Sequence, residues 1–148
     1  MRSFSGVKSD VFDWKPVADF AREAETIGVD SIWTSEAWGT DAISPLAFLA
    51  AKTSKIRLGT GIIQVGSRTP GNLIMTSLTM QSLSGGRFIL GLGTSGPQIM
   101  EGWHGVRFRN PVARTKEIIE IVKKRIFADS FHPILYFYIP ILKYNKKT

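Results

Sequence analysis

Cysteine is absent from this 148-residue chain, which excludes disulfides and thiolate metal sites and leaves the cytoplasm as the default compartment. Histidine is almost absent: His104 and His132 alone cannot build a His-rich metal centre, so no metal site is expected. Long apolar runs are also missing. The longest, Pro133 to Leu142, falls far short of the ~20 residues of a membrane span. The opening Met1-Arg2-Ser3-Phe4-Ser5-Gly6 has a positive charge but no apolar stretch behind it, so it is unlike a secretory signal. These absences point to a soluble protein with no membrane partner.

What is present is ordinary for a globular domain: 43% hydrophobic and 21% charged residues. The charge is +7, from 19 basic and 12 acidic side chains. Part of the excess is the cluster Lys143, Lys146 and Lys147, and the rest is scattered rather than striped along one helix. That distribution suits a solvated surface or an anionic small ligand better than nucleic acid.

Apolar positions Val17, Phe20, Ala21, Ala24 and Ile27 recur at helical spacing, and Gly28 follows as a stop. Asp30 to Thr34 is short and β-favouring. Ser44 in the N-cap position and Pro45 behind it open a second helix through Leu46, Leu49 and Ala50. Ile56 to Ile62 reads as a second strand. A third helix runs from Thr69-Pro70 to Gly85-Gly86, Arg87 to Leu92 is a third strand, and Asn110-Pro111 opens a fourth helix carrying Ile118, Ile121, Val122 and Ile126.

Strands alternating with helices imply a parallel sheet, and right-handed crossovers put the helices on one side. The expected fold is therefore α/β, a partial TIM (β/α)8 barrel of about three to four βα units with parallel strands. Three strands cannot close a barrel, which takes ~250 residues. The opening shows no convincing first strand over Phe4 to Val11. The inner sheet face is expected to be bare, a possible surface for homo-oligomers. Residues 1–130 read as the N-terminal half of a barrel domain, and residues 131–148 as an atypical tail outside it. The tail suits an aberrant end to a truncated or frameshifted frame; the alternative is an apolar strand covering an exposed edge.

In such folds ligands meet the C-terminal strand ends. Three loops qualify: Ser35 to Trp38, Gly61 to Arg68, and Gly93 to Gln98. Glu36 could accept hydrogen bonds there while Trp38 supplies a stacking face, or the pair could be a surface acid and a packing indole. Gly59, Gly61, Gly91 and Gly93 lie inside strands, where either a flat cofactor or tight packing requires them. Gly91-Leu92-Gly93-Thr94-Ser95-Gly96 matches the dinucleotide fingerprint formally, but Pro97 follows and Glu117 and Glu120 sit on a helix, which argues against NAD. Glu101-Gly102-Trp103-His104-Gly105 combines an acid, an imidazole and an indole in one loop. Arg68, Arg107 and Arg109 could meet an anion or simply face solvent.

The runs Ala21-Arg22-Glu23-Ala24-Glu25, Gly28 to Trp33, Ile56 to Ile62, Thr69-Pro70 and above all Leu83-Ser84-Gly85-Gly86-Arg87-Phe88-Ile89-Leu90-Gly91-Leu92-Gly93 resemble the luciferase-like monooxygenase family over roughly Pro16 to Lys124. Ser95-Gly96-Pro97-Gln98 and Glu101 to Gly105 look most like its deazaflavin-dependent members, related to methylene-tetrahydromethanopterin reductase and to sugar-phosphate dehydrogenases. The resemblance implies a TIM barrel, a deazaflavin coenzyme of the F420 type or FMN across the strand ends, and a small-molecule substrate. It implies hydride transfer to or from that substrate for a deazaflavin, or oxygen activation after reduction for FMN. The family often has a non-prolyl cis peptide at the position of Gly61-Ile62, against which the ring rests. By resemblance Glu36, Trp38, Thr60, Gly61, Ile62, Thr94 and Ser95 contact the cofactor, and Glu101 and His104 are the candidate catalytic proton handlers. Family members continue through four more βα units whose loops grip the cofactor phosphate, so this chain is expected to be a truncated form, and a non-catalytic barrel fragment or association module is the alternative.

Overall fold

The structure, a computed structural model, describes residues 13–128 and the backbone of 134–137. The expectations for Phe4 to Val11, for His132 and for the terminal lysines lie outside the described residues. Helix α1 (Lys15–Thr26) buries Val17, Ala18, Ala21 and Ala24. Phe20 and Ile27, expected on the same apolar face, are instead 62% and 75% exposed, because the small alanines bring the helix close and turn the larger side chains outward. Gly28, at φ 83°, then lets the chain reverse into strand β1 (Ser31–Thr34).

Helix α2 (Ser44–Ala50) starts with Pro45 in its first turn, as the sequence implies, but its N-cap position is Ile43 rather than Ser44, and the side chain that serves its first N–H groups is that of Asp41. Asp41 Oδ1 accepts from the backbone N–H groups of Ile43 (2.7 Å) and Ser44 (2.8 Å). The strand expected over 56–62 is broken in two, β2 (Arg57–Thr60) and β3 (Ile63–Gln64), around a cis Gly61–Ile62 peptide. This cis bond stands where the family resemblance places one. Helix α3 (Pro70–Ser84) is capped by Thr69, whose hydroxyl oxygen accepts from Asn72 N–H, and stops at the left-handed Gly85. Strand β4 (Phe88–Gly93), a short helix α4 (Pro97–Gly102) and the long helix α5 (Pro111–Ala128) complete the main body.

All pairings are parallel. β1 pairs with β2, and β4 pairs with β2 through Leu58–Phe88 and Gly59–Ile89, then with β3 through Ile63–Leu92 and Gln64–Gly93. β2 and β3 therefore act as two pieces of one barrel strand. On its other side β4 pairs with β5 (Ile134–Phe137). These four residues are those for which an apolar strand covering an exposed edge was the alternative expectation: Ile-Leu-Tyr-Phe is β-favouring, and the edge of β4 is open to pairing. The order is an arc of four consecutive parallel strands, as a partial barrel requires.

One face of the arc carries Ile32, Leu58, Phe88, Leu90 and Leu92 into a core with Leu46 and Leu49 of α2, Leu73 and Met80 of α3, and Ile118, Val122 and Ile126 of α5. The opposite face is less bare than expected. The Trp33 indole lies over Gly59, Ile62 lies over Gly93, and Ile89 is buried.

Candidate functional site

The C-terminal strand ends gather around Glu36. Gln64 N–H at the end of β3 donates to Glu36 Oε1 (3.0 Å), the Gln64 side-chain amide donates to the Glu36 carbonyl (3.2 Å), and Ala42 N–H donates to Glu36 Oε2 (3.2 Å). Arg68 Nη1 pairs with the same Oε1. The Glu36 side chain is 9% exposed, so this pair is shielded from water and charge-assisted. One carboxylate thus ties the loop after β1 to the loop after β3. Burial works against the neighbouring Asp41 carboxylate, but the Ser44 backbone N–H and hydroxyl, the Ile43 N–H and the nearby Arg68 charge outweigh it and hold the group below its ordinary range.

Above this clamp opens a cleft of about 320 Å³ lined by Glu36, Ala37, Gly39, Thr40, Asp41, Gln64, Ser67, Arg68, Trp103 and His104. Its wall at α4 was unforeseen: Pro97, read as a break in a dinucleotide fingerprint, instead starts a helix whose end presents Trp103 and His104. Trp103 packs edge-to-face with Trp38 (centroids 5.9 Å, planes at 72°), although both indoles are more than half exposed.

The expected site residues separate into groups. Glu36 and His104 line the cleft, and Trp38 stands at its margin through Trp103. Gly61 and Ile62 are half-buried in the break between β2 and β3. Thr60 is not brought to the cleft. It is fully buried, with its hydroxyl donating to Gly91 O (2.9 Å) and accepting from Gly91 N–H (2.8 Å), so it stitches β2 to β4. Thr94 lines a separate cavity of about 20 Å³ with Arg107, Arg109 and Arg114, and Ser95 beside it adopts a left-handed φ of 57°. Glu101 is exposed outside the cleft, its Oε1 accepting from Phe108 N–H (2.9 Å).

Three of the four strand glycines are explained by packing within the chain, whereas at Gly61 a Cβ would meet Trp33 only at an ordinary 3.7 Å. A Cβ at Gly91 would meet the Thr60 carbonyl, one at Gly59 the Trp33 ring, and one at Gly93 would lie 2.7 Å from Ile62 Cγ1. Residues missed in the sequence are Gln64 and Asp41. Gln64 closes the Gly-Ile-Ile-Gln run at a strand end, a signal that apolar periodicity does not register. Among the described residues the buried side-chain atoms without a hydrogen-bond partner are Gln64 Oε1 and Gln81 Oε1, and of these two residues only Gln64 lines the cleft.

A family model described as luciferase-like monooxygenase matches residues 1–129. The chain belongs to this family. A relative in Mycobacterium tuberculosis, provisionally named a coenzyme F420-dependent oxidoreductase, is 52% identical over 107 residues, which is 72% of this chain and 31% of that protein. The 5,10-methylenetetrahydromethanopterin reductase of Methanolobus tindarius is 33% identical over 108 residues, 72% of this chain and 33% of that protein. Among solved structures, the monooxygenase RslO1 of Streptomyces bottropensis superposes with a TM-score of 0.69 at 24% identity, over 75% of this chain and 36% of that one. This luciferase-like chain therefore spans about a third of the length of the curated relatives it matches, and its arc of parallel strands has the fold of the matching part of the solved monooxygenase.

Proposed function

We propose that this chain carries the ring-facing wall of a deazaflavin- or FMN-dependent oxidoreductase that moves a hydride to or from a small organic substrate. The carrying observation is the cleft of about 320 Å³ at the C-terminal strand ends, within the range of small-ligand sites, lined by the exposed Trp103 indole, which packs against Trp38, and by an anchored Arg68. A planar ring with a polar edge fits this lining, because the cleft offers an aromatic wall and the Arg68 guanidinium. The naming of the two relatives as an F420-dependent oxidoreductase and a methylenetetrahydromethanopterin reductase favours the deazaflavin over FMN.

When bound, a deazaflavin supplies two-electron hydride exchange at its central carbon, whereas FMN adds oxygen activation after reduction. The protein positions and protonates. Arg68, held by Glu36, orients a carbonyl; Trp38 and Trp103 exclude water from one side; and His104, exposed at the cleft, gives or takes the substrate proton. Glu101 serves by fixing Phe108 and the turn that carries His104. Gly61 and Ile62, in the break between β2 and β3, adjoin the strand that ends at Gln64, Thr94 and Ser95 belong to the neighbouring small cavity, and Thr60 acts from within the sheet through Gly91.

Titration of the purified chain with F420 and with FMN tests this. A saturable change in ring fluorescence is expected, larger at equal concentration for F420, and no change with either ring sinks the reading. A non-catalytic module is the second reading, favoured by the open arc of four strands among the described residues. It predicts ring binding without reduction of F420 by any alcohol or sugar phosphate. No helix among the described residues is long and apolar enough to cross a membrane. A cytoplasmic location belongs to the same proposal.

A further inference from the structure

We propose that two copies of this chain close one barrel, each supplying half of it about a shared twofold axis. The described residues hold four helix–strand units: α1 with β1, α2 with the broken strand β2–β3, α3 with β4, and α5 with β5. All of their strand pairings are parallel. A closed barrel of this kind takes eight strands and eight helices. Half a turn about the barrel axis keeps every strand parallel and brings the β5 edge of one copy to the β1 edge of the other, at both seams. Among the described residues β1 has no neighbour beyond β2 and β5 has none beyond β4, so both edges carry backbone groups open to pairing. Two copies use up all four edges, and the assembly closes.

Helix α1 supplies the second observation. Trp14 at its start packs edge-to-face on Phe48 of α2 (centroids 6.4 Å), and Glu25 accepts the backbone N–H groups of Ser54, Lys55 and Ile56 ahead of β2, so this flank of α1 faces α2. At about 100° per residue, Phe20 and Ile27 fall on the opposite flank, where they are 62% and 75% exposed. A helix leading into a parallel strand lies over the junction between that strand and the one before it. For α1 the preceding strand is missing among the described residues, and the partner's β5 takes its place, which sets Phe20 and Ile27 against the partner's α5. The cleft adjoins the same seam. Glu36, Ala37, Gly39, Thr40 and Asp41 belong to the loop that follows β1, so the end of the partner's β5 walls the cleft on that side.

Sedimentation of the native 148-residue chain tests this without any ligand. A single species of twice the 16.4 kDa chain mass is expected at micromolar concentration, with a urea midpoint that rises with protein concentration. Two pairs of substitutions separate this seam from another apolar face: Phe20→Lys with Ile27→Lys on α1, and Met75→Lys with Leu83→Lys on α3, all at exposed positions. The α1 pair is expected to halve the mass and the α3 pair to leave it unchanged. A monomeric native chain overturns the proposal, as does a larger open assembly, or a dimer that survives the α1 pair or is split by the α3 pair. If the α1 pair unfolds the chain, Phe20→Cys decides instead. The native chain has no cysteine, and the two α1 helices stand on opposite sides of the closed barrel, beyond disulfide reach. This variant is expected to sediment as a dimer that oxidation does not cross-link, and rapid disulfide formation within the dimer overturns the proposal.

Discussion

The two ends of the sheet use polar side chains in opposite ways. At the N-terminal ends of the strands, Glu25 accepts the backbone N–H groups of Ser54 (2.9 Å), Lys55 and Ile56 (2.8 Å). Arg87 donates to the carbonyls of Ser84 (2.6 Å), Ile56 (2.8 Å), Ala50 (3.1 Å) and Thr53 (3.1 Å). Asp30 and Arg57 pair across the same rim. Here side chains are consumed by loop backbone, and the Ser-Gly-Gly-Arg-Phe run owes its character to this joint rather than to chemistry. At the C-terminal ends, Glu36 also acts as a brace, yet around it remain Arg68 N–H groups, His104 and two exposed indoles. The sheet is locked at one end and left receptive at the other, as expected where ligands meet the C-terminal strand ends.

Substitutions at the locked end and in the strands should move stability, and those at the receptive end should move ligand binding. The largest effect is expected at Gly91, where alanine would drive a Cβ into the Thr60 carbonyl; a loss of about 3 kcal/mol should appear as a lower urea midpoint, and an unchanged midpoint would break the packing account of this glycine. Arg87→Met strips four carbonyls of a donor and should cost about 2 kcal/mol by the same measurement, without altering F420 affinity in the folded fraction. A matching fall in affinity would show that the two ends are coupled.

The Glu25 carboxyl is lowered from 4.5 to about 2, first by the Ile56 backbone N–H and then by that of Lys55. A group depressed on folding stabilises above its unfolded value and loses that contribution as pH falls. Unfolding midpoints measured between pH 5 and pH 2 should decline less steeply for Glu25→Gln than for the native chain, and parallel curves would remove Glu25 from the joint. The smallest effect on stability, under about 0.5 kcal/mol, is expected for Trp103→Ala because the indole is exposed. The same change should weaken ring binding several-fold; a stability loss with intact binding would invert the contrast.

Much of the architecture was legible because it is local. Pro70, Pro111 and Gly85 punctuate helices where the backbone demands them, and the apolar strands between them leave little choice of topology. What escaped the sequence depends on partners distant along the chain. Phe20 turned outward because alanines set the depth of α1, and Thr60 turned inward because the broken strand needed a stitch to Gly91. Of the site, the loops were found but their division of labour was not. Glu36 was expected to meet a ligand and largely meets Ala42, Gln64 and Arg68, whereas Gln64 and Asp41, which line the opening, carry no periodic signal. Pro97 was misassigned because a proline after glycine breaks one motif and begins a helix in another.

The edge-to-face meeting of Trp38 and Trp103 joins two segments more than sixty positions apart in the chain. Their mutual orientation survives only while the segments after β1 and after α4 keep their spacing. Indole emission, sensitive to such stacking, therefore gives the protein an intrinsic optical gauge of how far the two walls stand apart, readable without any attached dye.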